Sequence, residues 1–124
     1  MSEVSVFFSG NGVLNELWAA RRSGHMIDVT IVCRGGALVA HRLPILAASQ
    51  VLADDIRGHH AILTMMDVTV EELEQILHVV YAQAFRFSGR YLERFLSILE
   101  HYQIAVPRYA VSPIFGLVTK DRNI

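Results

Sequence analysis

Cysteine occurs once in this chain, at Cys33, so no internal disulfide can form and a reducing compartment is implied. Charge of one sign is equally scarce: 11 Lys and Arg face 12 Asp and Glu, a formal net charge of −1. Nucleic-acid phosphates demand clustered cations, so direct nucleic-acid contact is not expected. Arg21-Arg22, the only adjacent basic pair, is too short for a nuclear import signal or a membrane-binding patch. No apolar run nears the roughly eighteen residues of a membrane span, and the N-terminus lacks the basic start and long apolar stretch of a signal peptide. An intracellular protein without membrane contact is expected.

Motifs that carry chemistry are missing too. His25, His41, His59, His60, His78 and His101 never pair with a cysteine at metal-ligand spacing, and HExxH is absent. Gly10-Asn11-Gly12 is a turn, because neither a full GxGxxG nor a Lys-Ser/Thr follows it. There is no GxSxG, and Cys33 alternates with Val29 and Ile31 as a small buried hydrophobe would. Glu71, Glu72 and Glu74 cluster where a helix starts, a place the helix dipole favours for acids. No catalytic residue, metal or cofactor is expected, and no enzymatic activity.

What is present is apolar side chains, 52% of the 124 residues, with a mean hydropathy of +0.35. One domain of this length buries about two thirds of the surface its unfolded chain exposes. The apolar surplus therefore predicts a face turned toward a partner. Ser5 to Ser9 reads as a short extended segment with no nearby strand partner, and a helix is predicted from Val13 to about Ser23 with Leu14, Leu17, Trp18 and Arg21 at helical spacing.

Asp28 to Cys33 is β-rich, Gly35-Gly36 supplies a tight turn, and Ala37 to His41 returns as the partner strand. A single helix is predicted from Leu43 to about Arg57, ended by Gly58, and a strand over Ala61 to Met66. Thr69-Val70-Glu71-Glu72 is a capping box opening a helix whose inner face is Leu73, Ile76, Leu77, Val80 and Tyr81. Phe85 to Phe87 alternates as a brief strand, and Ser88 is a cap for a helix from Gly89 to Gln103 with Leu92, Phe95, Leu96, Leu99 and Tyr102 inward. Pro107 and Pro113 make the tail irregular.

The order Asp-Val-Thr-Ile-Val-Cys, Gly-Gly, Ala-His-Arg, then Ile45-Leu46-Ala47-Ala48-Ser49 resembles the signature of the BTB/POZ domain, most like those of transcription regulators. Leu96 to Ile104 resembles the family's closing helix; Ala82-Gln83-Ala84 stands where the family usually carries a glycine turn. The resemblance implies an α+β fold, a cluster of helices capped by a small mixed sheet, with residues 1–12 as an extended segment, 13–104 as the domain and 105–124 as the tail. It also implies a homodimer, built on the first helix and on exchange of the N-terminal strand, that recruits co-regulator proteins in the nucleus. The matching interface residues are Phe7, Phe8, Leu14, Leu17 and Trp18, with Tyr109 to Ser112 as a candidate late strand for the exchange. A charged pocket near the dimer seam would be formed by Asp28 and Arg42; the other reading has Asp28 terminating a strand and Arg42 in solvent.

A second reading is a cytoplasmic substrate adaptor for a cullin-type ubiquitin ligase, although Asp54 to Leu63 lacks the glutamate of the apolar-x-Glu motif such adaptors carry and the chain stops short of their later helices. A channel-tetramerisation scaffold fits the Ala-His-Arg and Ala-Ala-Ser features less well.

Overall fold

In a computed structural model, residues 3–8, 12–56 and 61–105 are described. In chain order they form β1 (Glu3–Val6), α1 (Gly12–Arg22), β2 (Val29–Arg34), β3 (Gly36–Ala40), α2 (Arg42–Ala48), α3 (Gln50–Ala53), β4 (Ala61–Thr69), α4 (Val70–Val80), β5 (Phe85–Ser88), a 3₁₀ turn (Gly89–Tyr91) and α5 (Leu92–His101). The expectations for Gly10-Asn11, Gly58, His59-His60, Tyr109 to Ser112 and the rest of the tail lie outside the described residues. This is an α+β fold of helices around small sheets.

Strand alternation decides which side of the sheet is inside. Val29, Ile31 and Cys33 of β2 are buried, as are Ala61, Leu63 and Met65 of β4. β2 pairs antiparallel with β3 and parallel with β4, giving the mixed order β3-β2-β4. Gly35 takes φ 93° between β2 and β3, a conformation L side chains seldom adopt. The inward row meets α4, where Leu73, Ile76, Leu77, Val80 and Tyr81 are all buried, as their spacing predicts. Each such side chain contributes about 1.5–3 kcal/mol before entropy is counted. The capping box forms: the Thr69 hydroxyl accepts the Glu72 N–H at 3.2 Å, and a Glu72 carboxylate oxygen accepts the Thr69 N–H at 3.0 Å.

Three expectations need correction. β1 starts earlier than Ser5 and is not an orphan: it pairs antiparallel with β5, Val4 opposite Phe87 and Val6 opposite Phe85, within the same chain. The helix expected from Leu43 to Arg57 breaks at Ser49, which is extended at φ −148° and ψ 115°. Its hydroxyl accepts the Leu52 N–H at 3.1 Å and donates to the Tyr102 carbonyl at 2.6 Å. A serine that satisfies two backbone groups competes with the helix, and here it wins. Finally, Ser88 makes no side-chain cap; a 3₁₀ turn intervenes and α5 starts at Leu92, with Ile98 joining Phe95 and Leu99 in the core.

Three helices end in one hydrogen-bond pattern. After α1, Gly24 N–H bonds Arg21 O and His25 N–H bonds Ala20 O; after α4, Ala82 bonds Val79 and Gln83 bonds His78; after α5, Gln103 bonds Glu100 and Ile104 bonds Leu99. This is the Schellman motif, whose left-handed residue is normally glycine. Only the first end has one. Ala82 and Gln103 sit at φ 55° and 50°.

Candidate interaction surface

Helix α1 lies on the outside of the molecule. None of its residues is fully buried: Leu17 and Trp18 are half-buried against the core, Leu14 is half-buried, and Val13 is 69% exposed. What holds the helix down is largely Arg21, whose side chain is only 9% exposed. Its Nε donates to the Val39 carbonyl at 2.7 Å, its Nη2 reaches Glu74 Oε1 at 3.2 Å, and the guanidinium stacks 5.0 Å from the Trp18 ring centroid. One side chain thus ties α1 to β3 and α4 at once. On its inner side Trp18 meets the rings of His78 at 4.7 Å and Tyr81 at 5.2 Å.

Leu14 also borders an apolar groove of about 210 Å³, with Pro44, Ala47 and Ala48 on one wall and Val79 and Val80 beneath. Beside it α2 exposes Leu43, at 64%, and Leu46. These two stand one turn apart on the helix. Phe7 is exposed, while Phe8 is half-buried and packs on the core.

The junction of hairpin and α2 is polar. Asp28 Oδ1 accepts the Arg42 N–H at 2.7 Å, Oδ2 lies 3.1 Å from Arg42 Nε, and Arg42 Nη2 donates to the Asp28 carbonyl at 3.3 Å. Both side chains are partly exposed, 37% and 24%. The carboxylate therefore closes the start of α2 as well as pairing with the guanidinium. Neighbouring His41 is buried: Nε2 faces the His25 carbonyl at 2.9 Å, while Nδ1 and the backbone N–H both meet the Tyr81 hydroxyl at 2.8 Å. A carbonyl only accepts, so Nε2 carries the proton and Nδ1 accepts from Tyr81. Burial pushes the Tyr81 hydroxyl pKa up.

A second polar cluster joins β4, α4 and α5. The Tyr102 hydroxyl donates to Asp67, which holds that carboxyl below its ordinary range; Tyr102 is pushed up, first by burial and then by this bond. Arg94 donates to Glu72 at 2.9 Å and lowers the Glu72 pKa. Among the described residues no helix is long and apolar enough to cross a membrane.

The family model described as BTB/POZ domain matches residues 17–112. This chain belongs to the BTB/POZ family. Members of it are protein–protein interaction modules. The BTB domain of zebrafish PATZ1 is similar in structure, with a TM-score of 0.63 at 16% identity, covering 75% of this chain and 79% of that one, a likeness of fold. No curated protein matches the chain in sequence.

In this BTB domain the residues singled out from the sequence fall in three places. Leu14, Leu17 and Trp18 share the outer helix, and Asp28 and Arg42 meet as an ion pair at the hairpin. Phe7 and Phe8 follow the β1–β5 ribbon. Sequence reasoning missed Arg21 as a staple: its helical spacing marked the inward stripe, but Glu74 and the Val39 carbonyl are remote in sequence. It missed Ser49 as a break, for which the serine itself was the signal.

Proposed function

We propose that this BTB domain joins two copies of its chain through α1 and the adjoining face of α2, and that the paired domains present a composite groove to co-regulator proteins. The carrying observation is a helix of eleven residues with none fully buried, which exposes Val13 and leaves Leu14, Leu17 and Trp18 only half-covered, beside exposed Leu43 and Leu46. Apolar surface so concentrated is costly in water, and one two-fold interface covers it on both copies. The Asp28–Arg42 pair is the charged pocket at the seam. By resemblance, the domain is the N-terminal part of a nuclear transcription regulator that brings two such chains together.

Exchange of β1 between copies would use β5 as its receiving strand, since β1 already pairs with β5 in the closed chain. Sedimentation of the wild-type chain and of Leu17→Glu tests the reading: wild type should associate and the variant should lose that step while keeping its fold. Cullin binding in a pull-down would instead favour the adaptor reading. The lack of an apolar-x-Glu motif between Asp54 and Leu63 predicts that it fails.

A further inference from the structure

A second self-association surface, remote in character from α1, lies on the sheet. β4 is an edge strand: among the described residues β2 is its only neighbour. Proteins blunt such edges with charges, prolines or bulges, because unpaired backbone groups invite another strand. From Ala61 to Met66, Ala-Ile-Leu-Thr-Met-Met, β4 carries no charge, no proline and no glycine. Its outward side chains are apolar and open, Ile62 at 68% and Met66 at 54% exposed. The rows beside Ile62 and Thr64 are uncharged too: Thr30 and Val39 line up with Ile62, and Val32 and Ala37 with Thr64, and the first charge on that face is Arg34 at the end of β2.

We infer that β4 pairs with β4 of a second copy, antiparallel about a two-fold axis at Thr64. The occupant is set by self-complementarity. About that axis Ile62 meets the other copy's Met66, Leu63 meets Met65, and Thr64 meets Thr64; these are apolar and hydroxyl pairs that favour strand pairing. The ladder stops at Met66 because the Asp67 carbonyl is already occupied by Arg34 Nη2 at 3.1 Å and Arg94 Nη2 at 2.6 Å. Asp67 thereby stays out of the pairing, and no acid faces another acid. An edge of five residues is small against the roughly 800 Å² per partner of a standard interface. The contact therefore adds to the α1 interface as a weaker second step, taking two α1-linked pairs to four chains.

A cysteine at the axis reads this directly. Directly opposed residues of an antiparallel pair lie about 4.5–5.5 Å apart at Cα, inside the range of a disulfide. Thr64→Cys should cross-link to a dimer on mild oxidation, while native Cys33, being buried, takes no part. In sedimentation equilibrium, Ile62→Lys with Met66→Lys should halve the mass of the largest wild-type species with circular dichroism unchanged. Leu17→Glu should halve it independently, and the combined variant should be a monomer. If Leu17→Glu changes nothing while Ile62→Lys with Met66→Lys yields monomers, the edge pairing stands and the α1 reading fails. No cross-link at Thr64→Cys, or an unchanged mass for the double-lysine variant, overturns the edge pairing.

Discussion

Replacing Arg21 by methionine keeps the aliphatic stem and removes three contacts that anchor α1. The hydrogen bond from a charged nitrogen to the Val39 carbonyl is worth about 1.5–3 kcal/mol. The pair with Glu74 contributes less, roughly 0.5 kcal/mol, because that carboxylate is 39% exposed and water screens it. Stacking on Trp18 adds about 0.5–1 kcal/mol. The contacts are not independent, so a loss of about 2–3 kcal/mol is expected. With a urea slope of about 1–2 kcal/mol per molar, the unfolding midpoint should fall by roughly 1–3 M. Arg21→Lys keeps the charge but not the fork, and should lie about halfway. Glu74→Gln alone should cost less than about 1 kcal/mol. Since no α1 residue is fully buried, Arg21→Met should also speed amide exchange in α1 before the rest of the domain opens. A midpoint shift below about 0.3 M would refute the staple, and unchanged exchange in α1 would show that other contacts place the helix.

The helix ends give a sharper sign test. At φ 50° Gln103 bears left-handed strain of about 1–2 kcal/mol, and glycine relieves it at an unfolded-state entropy cost of about 0.4–1, so Gln103→Gly should raise stability by roughly 0.5–1 kcal/mol. Ala82→Gly loses in addition a buried methyl worth about 0.8 kcal/mol and should be close to neutral; thermal melts of both variants check the contrast. The lowered Glu72 pKa means stability that is present above the unfolded carboxylate value and lost as pH falls through the folded one. Glu72→Gln keeps the capping box and should flatten the acid limb of the stability profile; an identical limb would remove the Arg94 pair from the account. The raised Tyr102 pKa acts oppositely, withdrawing stability as pH climbs above about 10, and Tyr102→Phe should blunt that alkaline loss. Asp28→Asn retains an acceptor for the Arg42 N–H but loses the ion pair, for a drop of about 0.5–1 kcal/mol; an unaltered melting temperature would show Asp28 to be idle.

Local signals were legible in proportion to how much of the structure they decide alone. The capping box at Thr69 and the apolar stripe of α4 concern neighbours on one helix, and both stand as read. The glycine hairpin is likewise local. The β1–β5 pairing joins residues some eighty positions apart in sequence, and no periodicity within Glu3–Val6 points to Phe85–Ser88. The break at Ser49 also depends on a remote acceptor, the Tyr102 carbonyl, so apolar spacing alone read α2 and α3 as one helix. The candidate surface divides in the same way. Leu14, Leu17 and Trp18 were visible as a stripe, whereas Arg21 becomes a staple only when β3 and α4 arrive beside it. The β4 edge was hidden because an edge is a property of sheet order, which one strand does not encode.

The central claim is that α1 and its neighbours on α2 join two copies of this BTB domain. Sedimentation equilibrium of wild type and Leu17→Glu across the micromolar range tests it most directly. Wild type should give at least twice the 13.9 kDa of one chain, and Leu17→Glu half the wild-type mass with its circular dichroism intact. A wild-type mass of 13.9 kDa throughout, or no difference between the two proteins, would contradict it.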